Sequence, residues 1–227
     1  LGFSELIISQ ALGPIGVPRY AEYLRDIKSS GGHLLNVVNN LLLFAKIEAG
    51  QHRYECEILD IEAELGTVIR LLQFDAQNQG VTIQQSFSDM AVVGEETSRD
   101  LTAVADRQSL RQILINVIGN AIKFSGDSDR IHLATRTDAA TGRVSVCVSD
   151  QGCGIPDETL SELGNPFVQA EGAFARRHQG SGLGLAICYG LADAMGATLS
   201  IASRVGKGTD VTLSLPTDVE MSETAVA

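Results

Sequence analysis

Apolar residues recur at spacings of three and four between residues 18 and 49, at Leu24, Ile27, Gly31, Leu34, Val38, Leu41 and Ala45. That period is the seam of a long helix, about 45 Å from end to end at 1.5 Å per residue. Residues 1–12 open directly in an apolar helical pattern, with no capping residue ahead of it. We therefore expect the start of that helix to lie upstream. Between the two helices Gly13-Pro14-Ile15-Gly16-Val17-Pro18 breaks the pattern, because proline lacks the N–H and clashes with the preceding turn. The pattern predicts an αα-hairpin. With Leu35 and Leu42 on a flanking stripe, the long helix needs a cover. Either a second copy completes a four-helix bundle, or the rest of the chain packs on it.

Gly50 stops the helix in the way helix ends favour, and the periodicity then becomes mixed. The pattern predicts a strand over Tyr54–Leu59, a helix over Ile61–Asn78 and strands over Val81–Phe87 and Thr102–Ala105. A helix over Arg107–Phe124 and strands over Ile131–Thr137 and Val144–Ser149 follow. Last come a helix over Leu183–Met195 and strands over Thr198–Ser203 and Asp210–Leu215. Helices that all cover one face of such strands give a two-layer α+β sandwich. The expected division is a helical hairpin at 1–50, a mixed unit at 51–216 and a polar, flexible tail at 217–227.

Composition narrows the function classes. The 227 residues carry a net charge of −11 and a pI near 4.7, with no basic run. That argues against nucleic acid, whose affinity needs clustered basic groups, and against an anionic membrane surface. The longest apolar run, Leu41–Ala45, is far shorter than the roughly 20 residues that span a bilayer. No basic segment precedes a cleavable apolar one at the start, so a cytoplasmic location is expected, with any anchor further upstream. Cys56, Cys147, Cys153 and Cys188 form no CxxC pair and no zinc spacing, so reduced thiols are expected. By segment the net charge is 0 over 1–50, −7 over 51–100 and −4 over 101–227. The acidity therefore lies mostly outside the segment that carries the following motifs.

Three motifs occur in order in the second half. In Asn116-Val117-Ile118-Gly119-Asn120-Ala121-Ile122-Lys123-Phe124 the residues 116, 120, 123 and 124 share one helix face. An amide oxygen there suits Mg²⁺, which keeps waters and takes phosphates as its other ligands. Lys123 adds a point charge for those phosphates. Standing alone, the same face could simply be solvated. Asp150-Gln151-Gly152-Cys153-Gly154 ends an apolar strand. Its carboxylate can accept from an exocyclic amine, and its glycines allow close backbone approach to a flat ligand, although such a turn occurs as often without a ligand. Gly180-Ser181-Gly182-Leu183-Gly184 runs into a helix, where free N–H groups and the dipole suit phosphate. It matches neither the dinucleotide fingerprint nor the P-loop.

Together the three resemble the N, G1 and G2 boxes of sensor histidine kinases, members of the ATPase superfamily shared with gyrase, Hsp90 and MutL. Phe167 sits in a stretch similar to the F box, and Gly206-Lys207-Gly208-Thr209 is similar to the closing Gly-Thr turn. Upstream, Ser29–Leu35, Ala45–Gly50 and the Pro/Gly turn resemble the dimerisation and phosphotransfer hairpin of kinases of the bacterial cell-cycle type. The resemblance implies ATP and Mg²⁺ as ligands. Asn120 would hold the metal with support from Asn116, and Lys123 would contact phosphate. Asp150 would bind the adenine amine, with Phe124 beside the base, Gly152 and Gly154 in the adenine loop, and Thr209 supporting the pocket. Residues 157–179 would form a lid, from which Arg176 or Arg177 reaches the γ-phosphate. Gly180, Gly182, Leu183 and Gly184 would line the phosphates. Hydrolases of the superfamily place a Glu general base four residues before the metal-binding Asn. Asn116 occupies that position here and cannot take a proton from water, which favours transfer to a protein acceptor.

The acceptor itself is not among these residues. The family's H box would lie upstream of Gly2-Phe3-Ser4, and His33, His52, His132 and His178 all lack its context. The resemblance implies autophosphorylation of a histidine, transfer to a response-regulator aspartate and a homodimer through residues 1–50. The alternative is a pseudokinase scaffold that binds nucleotide without productive phosphorylation.

Overall fold

The computed structural model describes residues 1–11, 13–87, 101–138, 141–168 and 181–217. A short helix α1 (Gly2–Ile8) precedes the 31-residue α2 (Pro18–Glu48). Pro18 opens α2, where its missing N–H is not needed, and Gly50 ends it at φ +62°. There the Gly50 and Gln51 N–H groups close on the Ile47 and Lys46 carbonyls. α1 folds back along α2, with Leu1 against Gly31 and a 2.7 Å ion pair between Lys28 and Glu5.

Beyond the hairpin come β1 (Cys56–Asp60), α3 (Ile61–Asn78), β2 (Thr82–Phe87), β3 (Thr102–Asp106) and α4 (Arg107–Phe124). β4 (Arg130–Asp138), β5 (Arg143–Ser149), the one-turn α5 (Asp157–Leu160), α6 (Gly184–Ala194), β6 (Thr198–Arg204) and β7 (Gly208–Pro216) follow. The predicted helices α3 and α4 fall on their expected residues because each begins on an aspartate cap. Asp60 accepts from Ala63 N–H, and Asp106 accepts from Ser109 N–H. α1 is shorter than the apolar pattern suggested, ending at Ile8.

Five strands form the main sheet in the order β2-β4-β5-β7-β6, and β1 pairs with β3 in a separate ribbon. All main-sheet neighbours are antiparallel except β2 and β4. Alternation along β4 and β5 buries Ile131, Leu133, Val144, Val146 and Val148 under the helices. The opposite face carries Arg136, Ser145 and Ser214, paired across neighbouring strands. Buried Glu64 of α3 lies between Arg107 and Arg111 of α4, and Arg107 also reaches Glu57 of β1 at 2.9 Å. This network joins both helices to the ribbon and satisfies a carboxylate that would otherwise be buried without a partner.

Of the two covers considered for the long helix, the rest of the chain covers only its end. Leu43, Phe44 and Ile47 at its end pack against the core. Ile47 fits so closely on α6 that a Cβ added at Gly190 would stand 2.7 Å from Ile47 Cγ2. Earlier turns leave Ile27 62% and Leu34 64% exposed, with Leu35, Val38, Leu41 and Leu42 beside them. Among the described residues no helix is long and apolar enough to cross a membrane.

Candidate functional site

At one end of the sheet three apolar columns each finish in a polar residue. The period-two alternation that buries Val144, Val146 and Val148 next brings Asp150 to the helix side. On β7 the column Leu215, Leu213, Val211 ends in Thr209, and on β6 Leu199 and Ile201 lead to Ser203. Strand register sets Ser203 opposite Thr209, and Asp150 N–H donates to the Thr209 carbonyl at 2.9 Å. The three side chains therefore form one row.

The row is tightly hydrogen-bonded. Asp150 Oδ1 accepts from Gly152 N–H at 2.9 Å and from Thr209 N–H at 3.1 Å. Its other oxygen has no partner among the described residues. Burial pushes the Asp150 carboxyl above the usual carboxylate range; the two N–H donors oppose this, and Asp210 and Asp129 add to it. Ser203 Oγ accepts from Ile155 N–H, and it lies 2.9 Å from both the Gly208 carbonyl oxygen and Thr209 Oγ1. It thus ties the loop after β5 to the β6–β7 turn. The motif glycines serve the same closure. A Cβ on Gly152 would overlap the Phe124 carbonyl, one on Gly154 the Arg204 carbonyl, and one on Gly208 the Asp150 carbonyl. The close approach expected toward a ligand at Gly152 and Gly154 is an approach of the protein's backbone to itself, and Gly208 shares it.

α4 supplies the second side of the site. Its buried face carries Ile113, Leu114, Val117, Ile118 and Ala121, while Asn116, Asn120 and Lys123 are half-buried on another. Asn116 Nδ2 donates to the Gly184 carbonyl at 3.4 Å and approaches Cys188 Sγ at 3.6 Å, linking α4 to the first turn of α6. The Cys188 thiol is buried, which pushes its pKa up to about 12 and leaves it unreactive. Asn120 has no hydrogen-bond partner among the described residues. Lys123 Nζ lies 5.2 Å from the Phe124 ring centroid, and burial lowers its pKa.

Phe167, 64% exposed, donates its N–H to the Gly182 carbonyl at 3.0 Å, so the F-box and glycine segments touch. Gly184 opens α6, whereas the Leu183 side chain is buried in the core and does not line the site. Arg176, Arg177 and Gly180 lie outside the described residues, as do residues 169–179 of the expected lid. The described segments meet in sequence: Ser203, Thr209, Asp150, Gly152, the end of α4, Asn116, Gly184, Gly182 and Phe167.

For a divalent cation the donor set is sparse. Among the described residues no cluster of three His, Cys, Asp or Glu side chains could hold a metal by itself. One unpartnered amide oxygen, from Asn120, fits an ion that brings phosphate and water as its other ligands. Sequence reasoning passed over Ser203 and Gly208 as site residues. Ser203 carried a signal, a hydroxyl at the inward position of an apolar alternation. Gly208 required the fold, since only register sets it against Asp150.

The profile of the family described as "Histidine kinase-, DNA gyrase B-, and HSP90-like ATPase" matches residues 105–219. A sensor-like histidine kinase of Rhizobium meliloti is 38% identical over 219 residues, which is 96% of this chain and 39% of that protein. Histidine protein kinase DivJ of Caulobacter vibrioides is 34% identical over 216 residues, 95% of this chain and 34% of that protein. The crystal structure of full-length ShkA in complex with AMPPNP superposes with a TM-score of 0.74 at 30% identity, over 95% of this chain and 42% of that one. The chain spans about two fifths or less of the length of these relatives. Since the profile runs over half of its residues, from the end of β3 to the end of the sheet, the chain belongs to the histidine kinase-, DNA gyrase B- and HSP90-like ATPase family.

Proposed function

We propose that the chain binds Mg·ATP and transfers its γ-phosphoryl group to a histidine, from which a response-regulator aspartate takes it. The observation that carries this reading is the Asp150 carboxylate. One oxygen is fixed by two backbone N–H groups, and the other is left to an exocyclic amine. Asn120 and Lys123 would hold the triphosphate, with Asn120 on the metal, and a bound Mg²⁺ would neutralise charge on the phosphates. Support for ATP comes from the family description and from the AMPPNP held by ShkA. Support for transfer over hydrolysis comes from Asn116. Its amide is engaged with α6 and has no basic lone pair to activate water. In the transfer an imidazole nitrogen bonds to the γ-phosphorus while the bond to the ADP oxygen breaks.

None of the described histidines is placed to accept. His33 is exposed on α2, His52 lies in the linker, and His132 lies on the face of the sheet away from the helices. The acceptor is therefore assigned to a histidine outside these residues. The exposed stripe of Ile27, Leu34, Val38 and Leu41 supports a homodimer through residues 1–50, with 51–216 as the ATP-binding unit. Calorimetric titration of the chain with Mg·ATP tests the site, and saturable binding is expected. Absence of binding overturns the reading. Radiolabel from γ-labelled ATP, appearing on histidine in the longer protein and then on a receiver domain, tests the transfer. Binding without label would make the chain a nucleotide-dependent scaffold instead.

A further inference from the structure

Ser203 has one proton to give and two lone pairs to offer. Ile155 N–H occupies one lone pair at 2.9 Å. The Gly208 carbonyl, also at 2.9 Å, can only accept, so it takes the Ser203 proton. One contact remains, the 2.9 Å approach to Thr209 Oγ1. With the Ser203 proton committed to Gly208, the proton in that contact must come from Thr209. The Thr209 hydroxyl is then left with lone pairs only on its ligand side. Asp150, next in the row, likewise presents an ionised oxygen that only accepts.

We infer that Ser203 is a positioning residue that fixes the Thr209 hydroxyl as an acceptor and so makes the pocket select a 6-amino purine over a 6-oxo purine. The inference rests on the nucleotide-binding reading above and adds to it what sets base choice. A 6-amino group carries two N–H donors and meets two acceptors, Asp150 and Thr209. A 6-oxo group brings lone pairs against both, leaving hydrogen bonds unmade in a half-buried site, which is the costly case. Without Ser203 the Thr209 hydroxyl can rotate and donate, and the penalty for a 6-oxo purine falls.

The test compares Mg·ATP, Mg·GTP and Mg·ITP affinities of the whole chain by calorimetry, for the parent and for Ser203→Ala, Ser203→Thr and Thr209→Val. The parent should prefer ATP over both 6-oxo nucleotides. In Ser203→Ala that preference should shrink roughly tenfold, the value of about one hydrogen bond, through tighter GTP and ITP. Ser203→Thr retains a hydroxyl and should retain the preference. An unchanged ratio in Ser203→Ala, or equal loss for all three ligands, overturns the inference. A gain for GTP without one for ITP also overturns it, because the effect would then lie at the 2-amino group. Should Ser203→Ala fail to fold, Thr209→Val decides, since it removes the acceptor and must narrow the ATP preference. No ATP binding by the parent is a different result and counts against the proposed function itself.

Discussion

The two sides of the site are built in opposite ways. On the sheet side Asp150, Thr209, Ser203 and Gly208 are bonded mainly to one another and to backbone, so the fold itself holds their geometry. On the helix side Asn120 has no partner among the described residues, and Lys123 lies half-buried against an aromatic ring. The first side is a frame, whose residues should couple ligand binding to stability. The second is a polar face of one helix, whose loss should weaken binding and leave the fold intact. A flat purine needs a fixed edge to be recognised, whereas a triphosphate with its metal can be gathered by groups that adjust.

The largest effect should follow Gly208→Ala. At φ +90° with the Asp150 carbonyl against its Cα, the new methyl has no room. A stability loss on the order of 3 kcal/mol or more is expected, together with loss of nucleotide binding. Thermal unfolding read beside calorimetry checks both, and a stable variant that still binds would break the idea of a frame. Asp150→Asn comes next. The Asn oxygen can keep both N–H bonds, but the amide nitrogen then presents a donor to a donor. ATP affinity should fall roughly 100-fold with little change in melting temperature. Equal affinity for parent and variant would remove Asp150 from the base pocket.

Smaller effects belong to the helix side. Asn120→Ala should weaken Mg·ATP roughly tenfold and leave adenosine affinity unchanged, and Lys123→Ala should do the same more weakly. Equal losses for ATP and adenosine would erase the distinction between the two sides. The mildest probe is pH. Because burial raises the Asp150 pKa, the fold holds that proton more tightly than the unfolded chain does. Acidification through the folded pKa therefore adds stability from this group while removing its acceptor. Nucleotide affinity should begin to fall at a pH above ~4, the ordinary carboxylate value, before any loss of fold. Affinity that fell only with unfolding would contradict this.

Much of this was legible in advance, for identifiable reasons. α3 and α4 were readable because Asp60 and Asp106 cap them and their apolar periods are unbroken. Asp150 was readable because it ends a strand whose valines alternate. The close packing of Gly152 and Gly154 on Phe124 and Arg204 was not, since it joins segments far apart in sequence. Nor was the division of α2. Its periodicity predicts a face needing cover, but whether a partner or the same chain covers each turn depends on where α6 lies.

By itself the sequence determined the elements, the order of the motifs and the chemistry of each side chain, because periodicity, capping and residue type act over a few neighbours. Only the tertiary structure decided which oxygen of Asp150 is held, which groups surround Ser203, and that Asn116 binds α6 rather than standing open to water. Those facts depend on strand register and helix packing across some 50 to 70 residues of chain. Contacts at that separation are selected by burial of the shared core, which no local pattern encodes.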